Sequence, residues 1–224
     1  MAVASTINSS ALLADLRVGC EALQVVLTDA QHQRLIEYVQ LLHKWNTAFN
    51  ITAVRDPKAM VPLHLLDSLS IVPHLTGERF IDVGTGGGLP GVPLAIVFPH
   101  RHFTLLDSNG KKTRFLFQVK QVLGLNNIAI VNSRVEACQA DDPFDGVISR
   151  AFASLQDMTE GCKHLLSPGG SFYAMKGVFP QTELREVEKH YIVVASHPLT
   201  VPGVEGERCL LVLRPRPPDL VIPA

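Results

Sequence analysis

Four glycines fall within the five residues Gly84-Thr85-Gly86-Gly87-Gly88, between a β-rich run, Arg79 to Val83, and an apolar one, Val92 to Ile96. Glycine has no Cβ, so such a loop takes positive φ and lets a flat ligand reach the backbone at van der Waals contact. Two registers compete for what that ligand is. Gly86-x-Gly88-x-x-Gly91 satisfies the dinucleotide fingerprint, and Asp107 ends the next strand where a ribose diol would be held. Asp82-x-Gly84-x-Gly86-x-Gly88 instead places an acid two residues before the first glycine. That acid suits a cationic ligand and repels a pyrophosphate.

The second register is the S-adenosylmethionine pattern of class I methyltransferases. Tyr38, Tyr173 and Tyr191 all lack a lysine four residues on, which disfavours a short-chain dehydrogenase. A sulfonium methyl is already activated, so alignment can supply ~7–11 kcal/mol of the barrier and only the acceptor needs special chemistry. Carbon-5 methylation of pyrimidines needs a cysteine, usually after proline, but Cys20, Cys138, Cys162 and Cys209 follow Gly19, Ala137, Gly161 and Arg208. Exocyclic amino methylation usually uses an Asn/Asp-Pro-Pro-aromatic loop after the fourth strand, where this chain reads Ser149-Arg150-Ala151-Phe152. A ring nitrogen such as nitrogen-7 of guanine carries a free lone pair and needs no general base. The residues permit such a target without selecting it.

The elements that must position these groups are legible from residue 79 onward. Short β-rich runs (RFIDVG, HFTLLD, IAIVN, FDGVISRA, GGSFYAMKG, YIVVAS, CLLVLR) alternate with helical patterns (KKTRFLFQVKQVL, LQDMTEGCKHLL, ELREVEKH). This alternation predicts an α/β fold, a Rossmann-like, doubly wound and mostly parallel sheet of the class I S-adenosylmethionine-dependent methyltransferase type. Upstream, Thr28 to Gln31 has the form of a capping box, followed by apolar Leu35, Tyr38, Val39, Leu42, Trp45 and Phe49 on one helical face. We therefore expect an N-terminal helical extension over 1–75, a core over 76–214 and a proline-rich tail over 215–224, behaving as a single domain.

Composition bounds the partners. The 224 residues carry 20 Lys and Arg against 21 Asp and Glu, a formal charge of -1, so only a local basic patch could hold nucleic acid. The four cysteines form no C-x-x-C pair and the nine histidines show no ligand spacing, so no metal is expected. Asp15, Arg17 and Glu21 interrupt the apolar run from Ala11 to Leu27, and no stretch reaches the ~20 apolar residues of a membrane span. A cytoplasmic, monomeric protein with reduced thiols is the expectation.

The order and wording of the motifs carry a closer resemblance. WNTAFNITAVRD (45–56), HLLDSL (64–69), DVGTGGGLPGVPLAI (82–96), LLDSNGKKTRFL (105–116), SRVE (133–136), ISRAF (148–152), MKG (175–177) and GERCLLVL (206–213) together resemble the ribosomal RNA small-subunit methyltransferase G family, also called glucose-inhibited division protein B. The family often has alanine or proline where Gly87 stands and phenylalanine at Leu89. The resemblance implies methyl transfer from S-adenosylmethionine to nitrogen-7 of one guanine in a hairpin loop of bacterial 16S rRNA, on naked rRNA or the small ribosomal subunit. It implies cofactor binding by Gly84, Gly86, Gly88, Leu89, Asp107, Val135, Glu136 and Arg150, to which the glycine register adds Asp82. No acid, base or nucleophile is implied; Arg150 and Lys176 position the reactants. For RNA we expect Asn50, Arg55, His64, Lys111, Lys112, Arg114, Arg134, Lys176 and Arg208, since three cations at a helix start oppose the helix dipole and point to an anionic partner. Phe152 could stack on the splayed base; Asn46 and Asp67 could shape the entrance. The rival classes are an NAD-dependent oxidoreductase and a non-catalytic RNA- or cofactor-binding module.

Overall fold

The computed structural model describes residues 8–217; residues 1–7 and 218–224, the latter most of the expected tail, lie outside the described residues. The sheet reaches further than the expected boundary at 215. Pro215 still pairs with Tyr191, and the Arg216 amide donates to the His190 carbonyl at 2.7 Å.

Helix α1 (Ser9–Ala22) is capped by the Asn8 side chain, and α2 (Asp29–Phe49) opens on the predicted capping box. The Thr28 amide donates to Gln31 Oε1 at 2.9 Å, and the Gln31 amide donates to Thr28 Oγ1 at 3.2 Å. Helix α3 (Pro57–Met60), a π-helical stretch (Val61–Leu66) and α4 (Asp67–Leu69) then run on continuously. A π stretch widens the helix locally and is common at functional sites. Here it carries His64 and ends at Asp67.

Strands β1 (Arg79–Val83), β2 (His102–Asp107), β3 (Ile128–Asn132), β4 (Phe144–Ser149), β5 (Leu166–Lys176), β6 (Tyr191–Pro198) and β7 (Cys209–Pro215) form one sheet in the order β3-β2-β1-β4-β5-β7-β6. β7 runs antiparallel to β5 and β6, and every other pairing is parallel. The chain winds one way from β1 to β3 and the other way from β4, so strand order reverses between β1 and β4. The crevice for a ligand lies at the carboxyl ends of these two strands.

Side chains alternate across the sheet. Phe80, Leu105 and Ile148 face a layer that includes α1, α2, α5 (Gly91–Val97) and α6 (Gly110–Leu123), while Ile81, Val83 and Leu106 face α7 (Leu155–Cys162) and α8 (Gln181–Val187). The helical extension shares the first of these cores: Tyr38 and Leu42 of α2 are buried together with Phe115 and Leu116 of α6. Burying each such side chain contributes roughly 1.5–3 kcal/mol, enough to fix α2 against the glycine loop.

Candidate active site

The glycine loop is tied down from both sides. The amides of Gly84 and Thr85 donate to the Leu106 carbonyl at 2.9 and 3.1 Å, and Tyr38 Oη of α2 donates to the Gly87 carbonyl at 2.7 Å. Gly84 and Gly88 have φ of +70° and +95°. A Cβ at Gly84 would lie 2.7 Å from the Ala151 Cβ, and one at Gly88 would lie 2.5 Å from Val92 and 2.8 Å from Leu116. Gly88 thus serves the packing of the loop on the core, and Gly84 serves a narrow passage between β1 and β4.

Asp82 departs from the expected cofactor contact. It is fully buried behind the loop, where one oxygen accepts from Thr85 Oγ1 at 2.6 Å and from the Gly91 amide at 2.8 Å, and it lines none of the cavities described below. Its other oxygen has no partner. Burial pushes its pKa up to about 6, against the opposing pull of the Thr85 and Gly91 hydrogen bonds and of Arg150. Asp82 holds the loop in shape from behind.

Three neighbouring spaces open on the carboxyl ends of the strands. The first, a cleft of about 310 Å³, is lined by Gly84, Asp107, Lys112 and Phe152 and by the Ser133–Glu136 segment, among others. Asp107 is fixed there by backbone: Oδ2 accepts from the Gly86 amide at 2.9 Å and Oδ1 from the Asn109 amide at 2.8 Å. Each oxygen keeps a lone pair for a ligand hydroxyl. The second space, about 220 Å³, lies over the loop from Gly84 to Gly87 and is bounded by Thr52, His64, Leu89, Arg150 and Ala151. Gly84 and Ala151 line both spaces. The third, about 490 Å³, contains Asp67, Arg150, Lys176 and Arg208, and Arg150 joins it to the second.

The third space is built from ion pairs between distant parts of the chain. Arg150 Nη1 donates to Asp67 Oδ2 at 2.6 Å, Arg208 Nε lies 3.5 Å from Asp67 Oδ1, and Lys176 Nζ lies 2.8 Å from Glu183 Oε2. Lys176 also donates to the Phe152 and Ala153 carbonyls at 3.4 and 3.3 Å.

The residues expected to meet RNA therefore separate. Lys176, Arg208 and Arg150 do converge on one cavity. Lys112 does not join them: its ammonium is 3.8 Å from Asp107 and lines the first cleft, as does exposed Arg134. Lys111 and Arg114 are exposed on α6. Asn50 caps α2 in a left-handed conformation and accepts from Arg55 at 2.7 Å, both exposed at the rim. His64 is only 6% exposed, with Nε2 at 2.9 Å from Thr52 Oγ1, so it faces the second space rather than a polymer outside it. Burial holds its pKa down at about 4, with Arg150 adding to the effect, so the imidazole is neutral at physiological pH. Leu89 is buried beside it, whereas Val135 and Glu136 line the first cleft in a 3-10 turn. Tyr38, Thr52 and Glu183 were not singled out by the sequence, and Asp67 was given only a role at the entrance. No local spacing connects position 67 to 150 or 208.

The sequence model of a family described as rRNA small subunit methyltransferase G matches residues 31–212. The chain belongs to this family. It is 61% identical over 192 residues to the ribosomal RNA small subunit methyltransferase G of Saccharophagus degradans, covering 86% of each chain. Its counterpart in Aeromonas salmonicida is 55% identical over 205 residues, 91% of this chain and 99% of that one. Among solved structures, an S-adenosylmethionine-dependent methyltransferase from Geobacter sulfurreducens in complex with S-adenosylhomocysteine superposes with a TM-score of 0.54 at 13% identity, over 79% of this chain and 98% of that one. TrmN from Thermus thermophilus gives 0.55 at 18% identity, over 76% and 53%. The fold is thus the class I Rossmann-like methyltransferase fold, and family membership makes the chain a methyltransferase that uses S-adenosylmethionine, which sets aside the oxidoreductase reading. The residues fit that cofactor. Asp107 offers two acceptor oxygens at the end of β2, and the cradle beside Gly84 is one that a Cβ would fill. No helix among the described residues is long and apolar enough to cross a membrane.

Proposed function

We propose that the protein transfers a methyl group from S-adenosylmethionine to nitrogen-7 of one guanine in a hairpin loop of bacterial 16S rRNA, acting as a cytoplasmic monomer. Family membership supports the substrate. The observation that carries the reading is the adjacency of the three spaces, with Gly84 and Ala151 lining both the first and the second and Arg150 both the second and the third.

In this reading Asp107 takes the ribose hydroxyls, Val135 and Glu136 border the adenine, and Gly84 and Gly86 present backbone to the rest of the cofactor. S-adenosylmethionine supplies an activated methyl on a cationic sulfur. Neutral His64 leaves the space over the loop free of a repelling charge, and Asp82, ionised above its pKa of about 6, favours a cation in front of the loop through its field. Arg150 and Lys176 hold the acceptor in line, and Arg208 neutralises a phosphate. Because a ring nitrogen brings its own lone pair, no residue has to remove a proton before transfer. Lys111, Arg114, Arg55 and Asn50 extend the contact to the surrounding RNA backbone, which fixes register rather than base identity.

The test is transfer of labelled methyl to small ribosomal subunits and to protein-free 16S rRNA, both lacking the mark, followed by nucleoside digestion and mass spectrometry. Label in 7-methylguanosine is expected, and the better substrate of the two identifies the form recognised. Label in another nucleoside, or none with cofactor still bound, contradicts the proposal.

A further inference from the structure

Asp67 is the one carboxylate among the described residues lining the third space, where Arg150, Lys176 and Arg208 supply the cations. Its side chain is 8% exposed and Arg150's is 27% exposed. A buried ion pair of this kind is a weak source of stability, because desolvating both charges offsets most of their attraction. A carboxylate that occupies two arginines would also weaken a site meant only for phosphate. Asp67 is therefore better explained by something it recognises.

The pairing leaves capacity on both partners. Arg150 gives one of its five N–H donors to Asp67, and the Asp67 carboxylate has about four acceptor positions, of which Arg150 takes one, with Arg208 nearby as a charge at 3.5 Å. At 2.6 Å the pair sets an unused guanidinium donor next to an unused carboxylate acceptor, at the junction of the second and third spaces. Guanine carries the complementary order on adjacent positions: O6 accepts and N1–H donates. Adenine reverses it, with a donating N6 amine and an accepting N1. Leu63 and Met175 line the same cavity and can cover the faces of a base.

We propose that the Arg150–Asp67 pair is the element that reads the acceptor base as guanine, with Arg150 donating to O6 and Asp67 accepting from N1–H. This rests on the proposed reading that guanine is the acceptor. The pair is specificity-determining: it rejects adenine by facing donor with donor and acceptor with acceptor, and an enzyme that extrudes its target base must read it through such edge contacts. Asp67 is held ready for this by the π-helical turn, whose Pro62 and His64 carbonyls accept from the Asp67 amide.

The experiment measures binding of GMP, IMP and AMP by titration to protein saturated with S-adenosylhomocysteine. In the wild type, GMP and IMP should bind about tenfold or more tightly than AMP, the scale of one good base contact; IMP should match GMP because it keeps O6 and N1–H and lacks only the N2 amine. In Asp67→Asn the amide can donate to adenine N1, so the preference should fall to within about twofold while S-adenosylhomocysteine affinity stays within about twofold. Should that variant lose S-adenosylhomocysteine binding through misfolding, Arg150→Lys decides, since it keeps the charge and loses the planar fork; loss of the preference is again expected. No preference in the wild type, or an intact preference in Asp67→Asn, overturns the proposal and leaves Asp67 as a clamp on Arg150. Failure of the reaction reads differently: a wild type that prefers GMP yet puts no label into 7-methylguanosine refutes the methyl acceptor and spares the pair.

Discussion

The two ends of the site are held by different forces. The cleft around Asp107 is fixed by backbone: amides of Gly86 and Asn109 grip the carboxylate, and Asn132 Nδ2 donates to the Asp107 carbonyl at 3.0 Å. The cavity around Asp67 is fixed by side chains from five separate segments of the chain, Asp67 with Arg150 and Arg208, and Lys176 with Glu183, that meet through ion pairs. Backbone hydrogen bonds hold a shape through changes in sequence and ionic strength, whereas ion pairs that keep one partner partly exposed can exchange partners with a polyanion. The first end suits a small ligand that is always the same. The second suits a charged partner that must displace something on arrival.

Perturbations can break this contrast in order of size. Asp107→Ala should weaken S-adenosylhomocysteine binding by about 100-fold or more, since it removes two charge-assisted acceptors and frees the Gly86 amide; calorimetric titration reads it. Gly88→Ala should cost roughly 3 kcal/mol in urea unfolding, because a side chain there meets both positive φ and two core side chains at 2.5 and 2.8 Å. Gly87→Ala, whose new Cβ would find its nearest neighbours at 3.2 and 3.3 Å, should cost no more than about 1 kcal/mol.

The two buried titrating groups beside the loop have opposite signs. The folded pKa of His64, about 4, lies below its ordinary 6.5, so its contribution to stability is present above 6.5 and lost as pH falls toward 4, by about 2–3 kcal/mol. The folded pKa of Asp82, about 6, lies above its ordinary 3.8, so its contribution is present below 3.8 and lost as pH rises toward 6. Urea midpoints across pH 4 to 7 should therefore show less acid sensitivity in His64→Gln than in the wild type, and more in Asp82→Asn. Tyr38→Phe, which leaves the Gly87 carbonyl without its buried donor, should likewise cost about 1 kcal/mol, with only a few-fold change in cofactor affinity.

The same contrast explains what was legible in the sequence. The glycine loop, Asp107 and the Val135–Glu136 turn are each defined within a few neighbouring residues, and the strands around them declare themselves by β-rich composition. The capping box at Thr28 was readable for the same reason. Asp67, Arg150, Arg208 and the Lys176–Glu183 pair owe their meeting to strand order and to a π-helical turn, neither of which local spacing encodes. Lys112 and Arg134 show the converse: charge alone grouped them with the RNA contacts, but the helix and loop that carry them turn toward the Asp107 cleft. The glycine motif marks Asp82 as a ligand contact, whereas in the fold its carboxylate is buried and tied to Thr85 and Gly91.

In this reading cofactor binding and acceptor positioning reside in separate, differently built ends of one site. The most direct test is to measure S-adenosylhomocysteine affinity and single-turnover methyl transfer to unmethylated small subunits in Lys176→Ala beside Asp107→Ala. Lys176→Ala should keep cofactor affinity within about twofold and slow transfer by about tenfold or more, while Asp107→Ala should lose the affinity itself. Equal loss of both properties in both variants would contradict it.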